Sequence, residues 1–149
     1  MIEMTQELAE RAAKAALTKG RDFHKPFTVS VVDESGRLVY LARGDGAGFY
    51  TADTSRAKAM AAASFRRSTL DINDHRDANP LLWFSLSGVI PGDALPSPGG
   101  LPLRRGERVI GAIGIGGGLP HEDHQCALAA QESFDNLQAP AQIPAQTPA

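Results

Sequence analysis

The stretch RVIGAIGIGGGLPHEDH, residues 108–124, determines how the chain folds. Its first half mixes β-branched residues with glycine and alanine, a pattern that predicts a strand. Gly114 and Gly116 remove side chains from one face of that strand, so a helix or a ligand can approach its backbone closely. The second half opens a helix, and the N-terminal end of a helix favours an anion. We therefore predict a strand, a tight corner and a helix.

Nucleotide-binding glycine motifs do not fit this stretch. In the G-x-G-x-x-G pattern that starts at Gly114, the last glycine falls on Leu119. A dinucleotide fold also needs a parallel strand after the helix, and only a helix and a proline-rich tail follow Gly118. No Gly-Lys-Ser/Thr occurs, which excludes the P-loop. We predict that the glycine corner has a structural role, and anion binding is the alternative.

Outward from this stretch, hydrophobic periodicity predicts six further features of the chain. They are a helix over 5–19, a hairpin over 27–43, a helix over 54–69, a polar loop over 71–79, a short helix over 80–87 that Gly88 ends, and a hairpin over 101–118. The helix that follows the glycine corner is predicted over 121–137 and is the last one. Two hairpins imply antiparallel pairing, so the fold class is α+β with helices packed on an antiparallel sheet. We predict one domain over 1–138 and a disordered Pro/Ala/Gln tail over 139–149.

Composition narrows the class of protein. Hydrophobic residues make up 42% and charged residues 21% of the chain, as in ordinary globular proteins. The net charge is -2 and no run of Lys or Arg exceeds two residues, which argues against nucleic-acid binding. The acidic, amphipathic N-terminus is unlike a signal peptide, and no apolar run reaches the ~18 residues that span a bilayer. A lone cysteine, Cys126, fits a reducing compartment, so we expect a cytoplasmic protein with no membrane contact.

Three blocks in order, residues 27–47, 55–69 and 98–118, resemble the GlcG/HbpS-like haem-binding family. The same blocks resemble the C-terminal domain of PduO-type corrinoid adenosyltransferases. The resemblance implies an antiparallel sheet of about five strands flanked by helices, similar to a profilin-like architecture. It also implies haem as cofactor, a role in redox sensing or cofactor handling, and assembly into dimers or larger homo-oligomers.

His121 and His124 are the first candidates for chemistry. They lie three residues apart at the start of the last helix, so their side chains share a face. The positive helix end favours neutral imidazole, the form that binds a metal or serves as a general base. A solvated polar first turn is the alternative. Asp123 is predicted to accept a hydrogen bond from a backbone amide, and Cys126 to be a buried, inert thiol.

The other candidates concern a cofactor. His24, between the first helix and first strand, is a candidate axial ligand of haem iron or else an exposed loop histidine, and His75 is predicted to be solvated. Arg56 and Lys58 face opposite ways on their helix, so one of them could meet a propionate or a substrate carboxylate. Gly116 and Gly117 complete the predicted cofactor-binding set.

Two functions remain open at this stage. The first is a binding module that holds haem, or a similar flat anionic cofactor, in a cleft between helix and sheet. The second is an isomerase, hydrolase or lyase acting on a small acidic metabolite. It would use His121, His124 or His75 as general base and Arg56 as carboxylate clamp. A third, purely structural alternative is an oligomer scaffold with no ligand.

Overall fold

The structure, a computed structural model, describes residues 2–90 and 93–138. Within them it contains four strands and five α-helices, joined by short turns of 3-10 helix. In chain order these are α1 (Gln6–Gly20), β1 (Thr28–Asp33), β2 (Leu38–Arg43), α2 (Thr51–Phe65), α3 (Thr69–His75), α4 (Pro80–Ser85), β3 (Gly100–Arg105), β4 (Arg108–Gly116) and α5 (Pro120–Gln138).

The four strands form one antiparallel sheet in the order β2-β1-β4-β3. Helices α1 and α5 pack together on one face, and α2 covers the other face. This three-layer arrangement confirms the α+β class predicted from the two hairpins. The expected number of strands was about five, and the described part of the chain has four, because the hairpins β1–β2 and β3–β4 supply the whole sheet.

One face of the sheet carries the apolar core. The side chains of Val29, Val31, Ile113 and Ile115 are fully buried there. They meet the small residues of α1 and α5, namely Ala9, Ala12, Ala13, Ala16, Ala127 and Ala130. Because alanine leaves the helix surface nearly flat, both helices can lie close to the sheet and to each other.

The opposite face is small and polar, and α2 lies directly on it. The Ser30 and Ser55 hydroxyls are 2.7 Å apart, as are those of Thr28 and Thr51. A Cβ atom at Gly114 would overlap the carbonyl oxygen of Ser55. Hydroxyl pairs satisfy the buried polar groups while the glycine lets the helix approach. The strand face from which glycine removes side chains is therefore covered by α2.

Between α2 and β3 the chain differs from the sequence prediction. Residues 71–79 were predicted to be a loop, and this was wrong for the first part, since α3 spans Thr69–His75. Ser68 caps this helix by accepting a hydrogen bond from the Asp71 amide, and Ile72 is fully buried beneath it. The start of α4 is confirmed, with Asn79 as N-cap and Pro80 at the first position.

Two further expectations concern the tail and membranes. The predicted disordered tail, residues 139–149, lies outside the described residues. None of the helices within the described ranges is long and apolar enough to cross a bilayer.

Candidate functional site

A buried ion pair lies under the glycine corner. Lys58 on α2 and Asp123 on α5 are 5% and 3% exposed, and their charged groups are 2.9 Å apart. The Lys58 ammonium also donates to the carbonyl oxygen of Ile115 at 2.8 Å. Asp123 accepts a hydrogen bond from the Gly118 amide at 2.9 Å, which confirms the predicted amide partner. The pair thus ties α2, the end of β4 and the start of α5 together.

The protonation of this corner follows from burial and from its partners. Burial raises the pKa of Asp123 above its ordinary value, while the Lys58 ammonium and the Gly118 amide oppose that rise. Nearby, Lys25 donates to Glu122 at 2.6 Å, and this bond, with that from the Leu119 amide, lowers the pKa of Glu122. Both acids at the helix start are therefore held by groups of the chain itself.

The predicted cofactor contacts at the corner are filled by protein. A Cβ at Gly116 would lie 3.1 Å from the Thr54 hydroxyl, and one at Gly117 would lie 2.7 Å from the Pro26 carbonyl oxygen. Lys58 is directed to Asp123 and Ile115. The cleft expected between helix and sheet is closed by α2 itself, because the hydroxyl pairs hold that helix against the strands. We therefore place no ligand there.

The histidines differ in their exposure to solvent and in their hydrogen bonding. His121 and His24 are exposed, and His24 has a left-handed backbone with φ of 55°. His124 is partly buried, and its Nδ1 atom is enclosed without a hydrogen-bond partner among the described residues. Within residues 2–90 and 93–138, no three His, Cys, Asp or Glu side chains converge on one point as a metal site. The pair His121 and His124 therefore has no third ligand among those residues.

His124 gives the fold a dependence on pH. Burial lowers the pKa of His124 below its ordinary value of 6.5. In the unfolded chain His124 binds its proton near pH 6.5, and in the folded protein only at lower pH. Stability is therefore lost as pH falls from 6.5 through the folded pKa. We expect the free energy of unfolding in urea to fall less between about pH 7.5 and about pH 5.5 in His124→Gln than in the wild type. The exposed His121→Gln serves as control, and equal slopes for all three proteins would contradict this.

Cys126 is fully buried, as predicted. Burial, with the nearby Asp123 carboxylate, raises the pKa of its thiol to about 12. Since the thiolate is the reactive form, we expect no labelling by iodoacetamide in the folded protein at about pH 8. Labelling should be complete in concentrated urea. Rapid labelling of the folded protein, measured by mass spectrometry, would disprove the burial.

A cavity of about 440 Å³ lies beside α4. Its walls are mostly apolar, and α4 supplies one side through Pro80, Trp83 and Phe84. The other side is the segment 94–96, which the Leu95 amide anchors to α2 by a hydrogen bond to the Ala57 carbonyl oxygen. The Trp83 ring also packs on Phe65 of α2, with centroids 5.4 Å apart.

Charged side chains lie in the wall of this α4 cavity and in the wall of an adjoining cavity. Arg76 and Asp77 line it directly. Arg56 lines an adjoining cavity of about 330 Å³, and the two cavities share Ala94 and Leu95 as a common wall. Neither histidine of α5 lines the cavity beside Arg56, so the catalytic set His121, His124 and Arg56 is not assembled there.

His75 directly precedes Arg76 and carries an oriented imidazole. Its Nδ1 lies 2.7 Å from the Asp71 carbonyl oxygen, which can only accept, so Nδ1 holds the proton. In the neutral ring, Nε2 is then the nitrogen with the free lone pair. Metal-binding histidines commonly have this arrangement, with the other ring nitrogen donating to a carbonyl. His75 is 66% exposed, as the sequence predicted.

The sequence leaves three roles open for Trp83 and Phe84: the core, an oligomer contact, or aromatic walls beside a flat ligand. Sequence reasoning passed over Arg76 and Leu95 as site residues. One signal for the site was present: residues 78–92 contain no charged residue, and Arg76, Asp77 and Asp93 border them. An apolar run bounded by charge is typical of a segment that lines a binding surface.

The described residues form an α+β protein with a single antiparallel sheet between helical layers, and its candidate site is the α4 cavity. The chain belongs to the HbpS-like family, described as "Haem degrading protein HbpS-like", which it matches over residues 4–132. This confirms the resemblance drawn from the three sequence blocks.

Individual relatives agree with this assignment. An uncharacterized 15.0 kDa protein of Citrobacter freundii is 31% identical over 134 residues, which are 90% of this chain and 94% of that protein. The crystal structure of a double mutant of Streptomyces reticuli HbpS has a TM-score of 0.79 at 30% identity, covering 89% of this chain and 87% of that one.

The corrinoid adenosyltransferase PduO is a further relative. The Salmonella typhimurium enzyme is 26% identical over 78% of this chain, which spans only 34% of that protein. The crystal structure of a PduOC:heme complex has a TM-score of 0.79 at 23% identity, covering 89% of this chain and 95% of that one. At that identity the likeness concerns the fold.

Proposed function

We propose that this protein binds haem, or a similarly flat tetrapyrrole that bears carboxylates, in the α4 cavity. The observation that carries the proposal is the pairing of an apolar, aromatic-lined slot with a guanidinium at its border. A buried macrocycle needs apolar walls, and its carboxylates need a cation with a matching hydrogen-bond fork. The family description and the haem complex of PduOC support the same ligand.

The residues that line the cavity have the chemical character that this ligand requires. Trp83, Phe84 and Leu95 would cover the ring, and Arg76 would pair with a propionate. Arg56, which lines the adjoining cavity with Asp53 and Asp93, is the sequence-based candidate for the second carboxylate. When bound, haem supplies a redox-active iron, and the chain contributes orientation, charge and exclusion of water.

An imidazole is the remaining requirement for iron. We propose His75 for this role, since it directly precedes Arg76 of the cavity lining and its Nδ1 hydrogen bond leaves Nε2 as the acceptor nitrogen of neutral imidazole. His24 and the pair His121 and His124 are the competing candidates from the sequence. A redox-sensing or cofactor-handling role, a cytoplasmic location and a homo-oligomeric state complete the proposal. Among the described residues, His121 and His124 do not line the cavity beside Arg56, so the geometry favours the binding function over the enzyme alternative.

A haemin titration of the purified full-length chain tests the proposal. We expect a saturable, shifted Soret band in the wild type. Arg76→Gln and Trp83→Ala should weaken haemin binding at least about tenfold, because each removes one kind of contact from the α4 cavity. His75→Ala should change the position of the Soret band, while His24→Ala and His121→Ala/His124→Ala should not.

A matched control lies at the end of β2 and on the loop that follows it. Arg43 and Phe49 form an exposed arginine–aromatic pair, 5.4 Å from guanidinium to ring centroid, outside the α4 cavity. Arg43→Gln and Phe49→Ala should bind haemin like the wild type. If no band saturates, or if the cavity variants bind like these controls, the proposal is wrong.

A further inference from the structure

Another cavity, here called the α5 cavity, lies between the hairpin β3–β4 and the C-terminal part of α5. Its volume is about 470 Å³, and it shares no lining residue with the α4 cavity. Two glutamine side chains of α5 fix its walls. Gln131 donates to the Pro102 carbonyl oxygen at 2.9 Å, and Gln138 donates to the Arg104 carbonyl oxygen at 3.0 Å. Because these bonds hold a helix against a strand, the cavity is formed before any ligand arrives.

Two opposite charges line the α5 cavity without pairing with each other. Arg105 and Asp135 are both lining residues, and no ion pair joins them. The Arg105 Nε atom donates to the Gln138 side-chain oxygen at 3.3 Å, while its Nη1 atom is 3.9 Å from the Glu3 carboxylate, beyond hydrogen-bond distance. Asp135 makes no hydrogen bond or ion pair with the described residues. One guanidinium edge and one carboxylate are therefore available to a ligand.

Asp135 lies at an end of α5 that favours a cation. It belongs to the last turn of Pro120–Gln138, which contains no basic residue. The free carbonyl groups at a helix C-terminus carry partial negative charge, and the carboxylate adds to it. Gln131 lies one turn earlier on the same face, and its side-chain oxygen is a further acceptor, since its nitrogen is bonded to Pro102. These three features together suit an ammonium group.

We propose that the α5 cavity binds a small zwitterion, namely an amino acid or a short peptide with free ends. Its ammonium group binds Asp135 and Gln131, and its carboxylate binds Arg105, whose N–H groups match the two carboxylate oxygens. A simple anion would face the Asp135 carboxylate and a simple cation the Arg105 guanidinium, so either charge alone is disfavoured. This site is independent of the proposed haem site, because the two cavities have no wall in common.

An NMR titration of the ¹⁵N-labelled full-length protein tests the site. L-alanine, di-L-alanine and tri-L-alanine carry the same two charged ends at increasing separation, so they also measure the spacing that the cavity requires. We expect at least one of them to shift the Gly106 amide signal saturably, with a dissociation constant below about 1 mM. Its N-acetyl form, which lacks the ammonium, and its C-terminal amide, which lacks the carboxylate, should each bind at least about tenfold more weakly.

Variants of the two charged residues test the assignment of each group. Arg105→Gln and Asp135→Asn should each weaken binding of that alanine compound at least about tenfold, because each removes one charge contact. Glu132→Gln changes an exposed acid of the same helix outside the cavity lining, and Arg37→Gln changes an exposed arginine on the turn between β1 and β2. Both controls should bind like the wild type. Circular dichroism of each variant establishes that it is folded.

Three results would overturn the proposed site: no saturable shift with any of the three compounds, equal binding of the blocked forms, or an equal loss of affinity in the two control variants. Haemin binding is measured separately on the same protein. If an alanine compound binds and haemin does not, the proposed function fails while the zwitterion site stands. If haemin binds and none of the alanine compounds does, only the zwitterion site is wrong.

Discussion

Gly114→Ala is expected to unfold much of the protein, because the added methyl group meets backbone that cannot move alone. Its Cβ would overlap the Ser55 carbonyl oxygen and lie 2.6 Å from the Ala59 amide nitrogen, both in the main chain of α2. The whole helix would have to shift, which breaks the hydroxyl pairs Ser30–Ser55 and Thr28–Thr51. Overpacking costs about 1–3 kcal/mol and each unsatisfied buried group about 1–3 kcal/mol. We expect a loss of at least about 4 kcal/mol, a large part of a typical folding free energy.

Two other glycines provide graded controls for this effect. In Gly116→Ala the nearest atom is the Thr54 hydroxyl oxygen at 3.1 Å, which a small side-chain movement relieves. In Gly88→Ala no atom of the described residues, its two chain neighbours apart, lies within 4 Å of the added carbon. Urea midpoints should therefore fall steeply for Gly114→Ala, slightly for Gly116→Ala and hardly at all for Gly88→Ala. Equal midpoints for Gly114→Ala and Gly88→Ala would contradict the close contact of α2 with the sheet.

Lys58→Met should cost about 3–5 kcal/mol of folding free energy, since it leaves Asp123 as a buried charge without its cation. The ammonium is also the hydrogen-bond donor to the Ile115 carbonyl oxygen, so a second buried group loses its partner. The double variant Lys58→Met/Asp123→Asn removes the uncompensated charge and keeps an acceptor for the Gly118 amide. We expect it to recover at least about 1 kcal/mol relative to Lys58→Met alone.

An exposed lysine gives the matched comparison. Lys14 pairs with Glu10 on α1 at 3.6 Å, and both side chains are largely in solvent. Lys14→Met should therefore change the free energy of unfolding by less than about 0.5 kcal/mol. Urea unfolding of the four proteins measures these differences. A Lys58→Met variant no less stable than Lys14→Met would mean that the buried pair does not hold the corner together.

Much of the fold could be predicted because its signals are local. The first hairpin has turn residues between β-branched runs, the second has a turn at Gly106, and α4 has the Asn79-Pro80 start. Helix α3 was missed because its polar sequence has little apolar periodicity. Its stability comes from the Ser68 cap and from burial of Ile72 against distant parts of the chain. Propensity within a short window cannot show such contacts.

The candidate site was harder to predict, because its parts are distant in sequence. The segment 94–96 faces α4 only because the Leu95 amide is tied to α2. Lys58 looked like a cofactor contact, since its partner Asp123 lies 65 residues away and the sequence alone does not pair them. Gly114 was correctly taken as a point of close approach, but periodicity could not decide between a helix and a ligand.

Trp83 allows the most direct test of the α4 cavity as the ligand site. It is the single tryptophan of the chain and lines the cavity, so its indole N–H gives one isolated NMR signal. Zinc protoporphyrin IX is a diamagnetic, flat probe whose ring current shifts only nearby protons. We expect the Trp83 indole signal to move strongly and to saturate together with the Soret band. Saturable binding that leaves this signal in place would contradict the assignment of the ligand to this cavity.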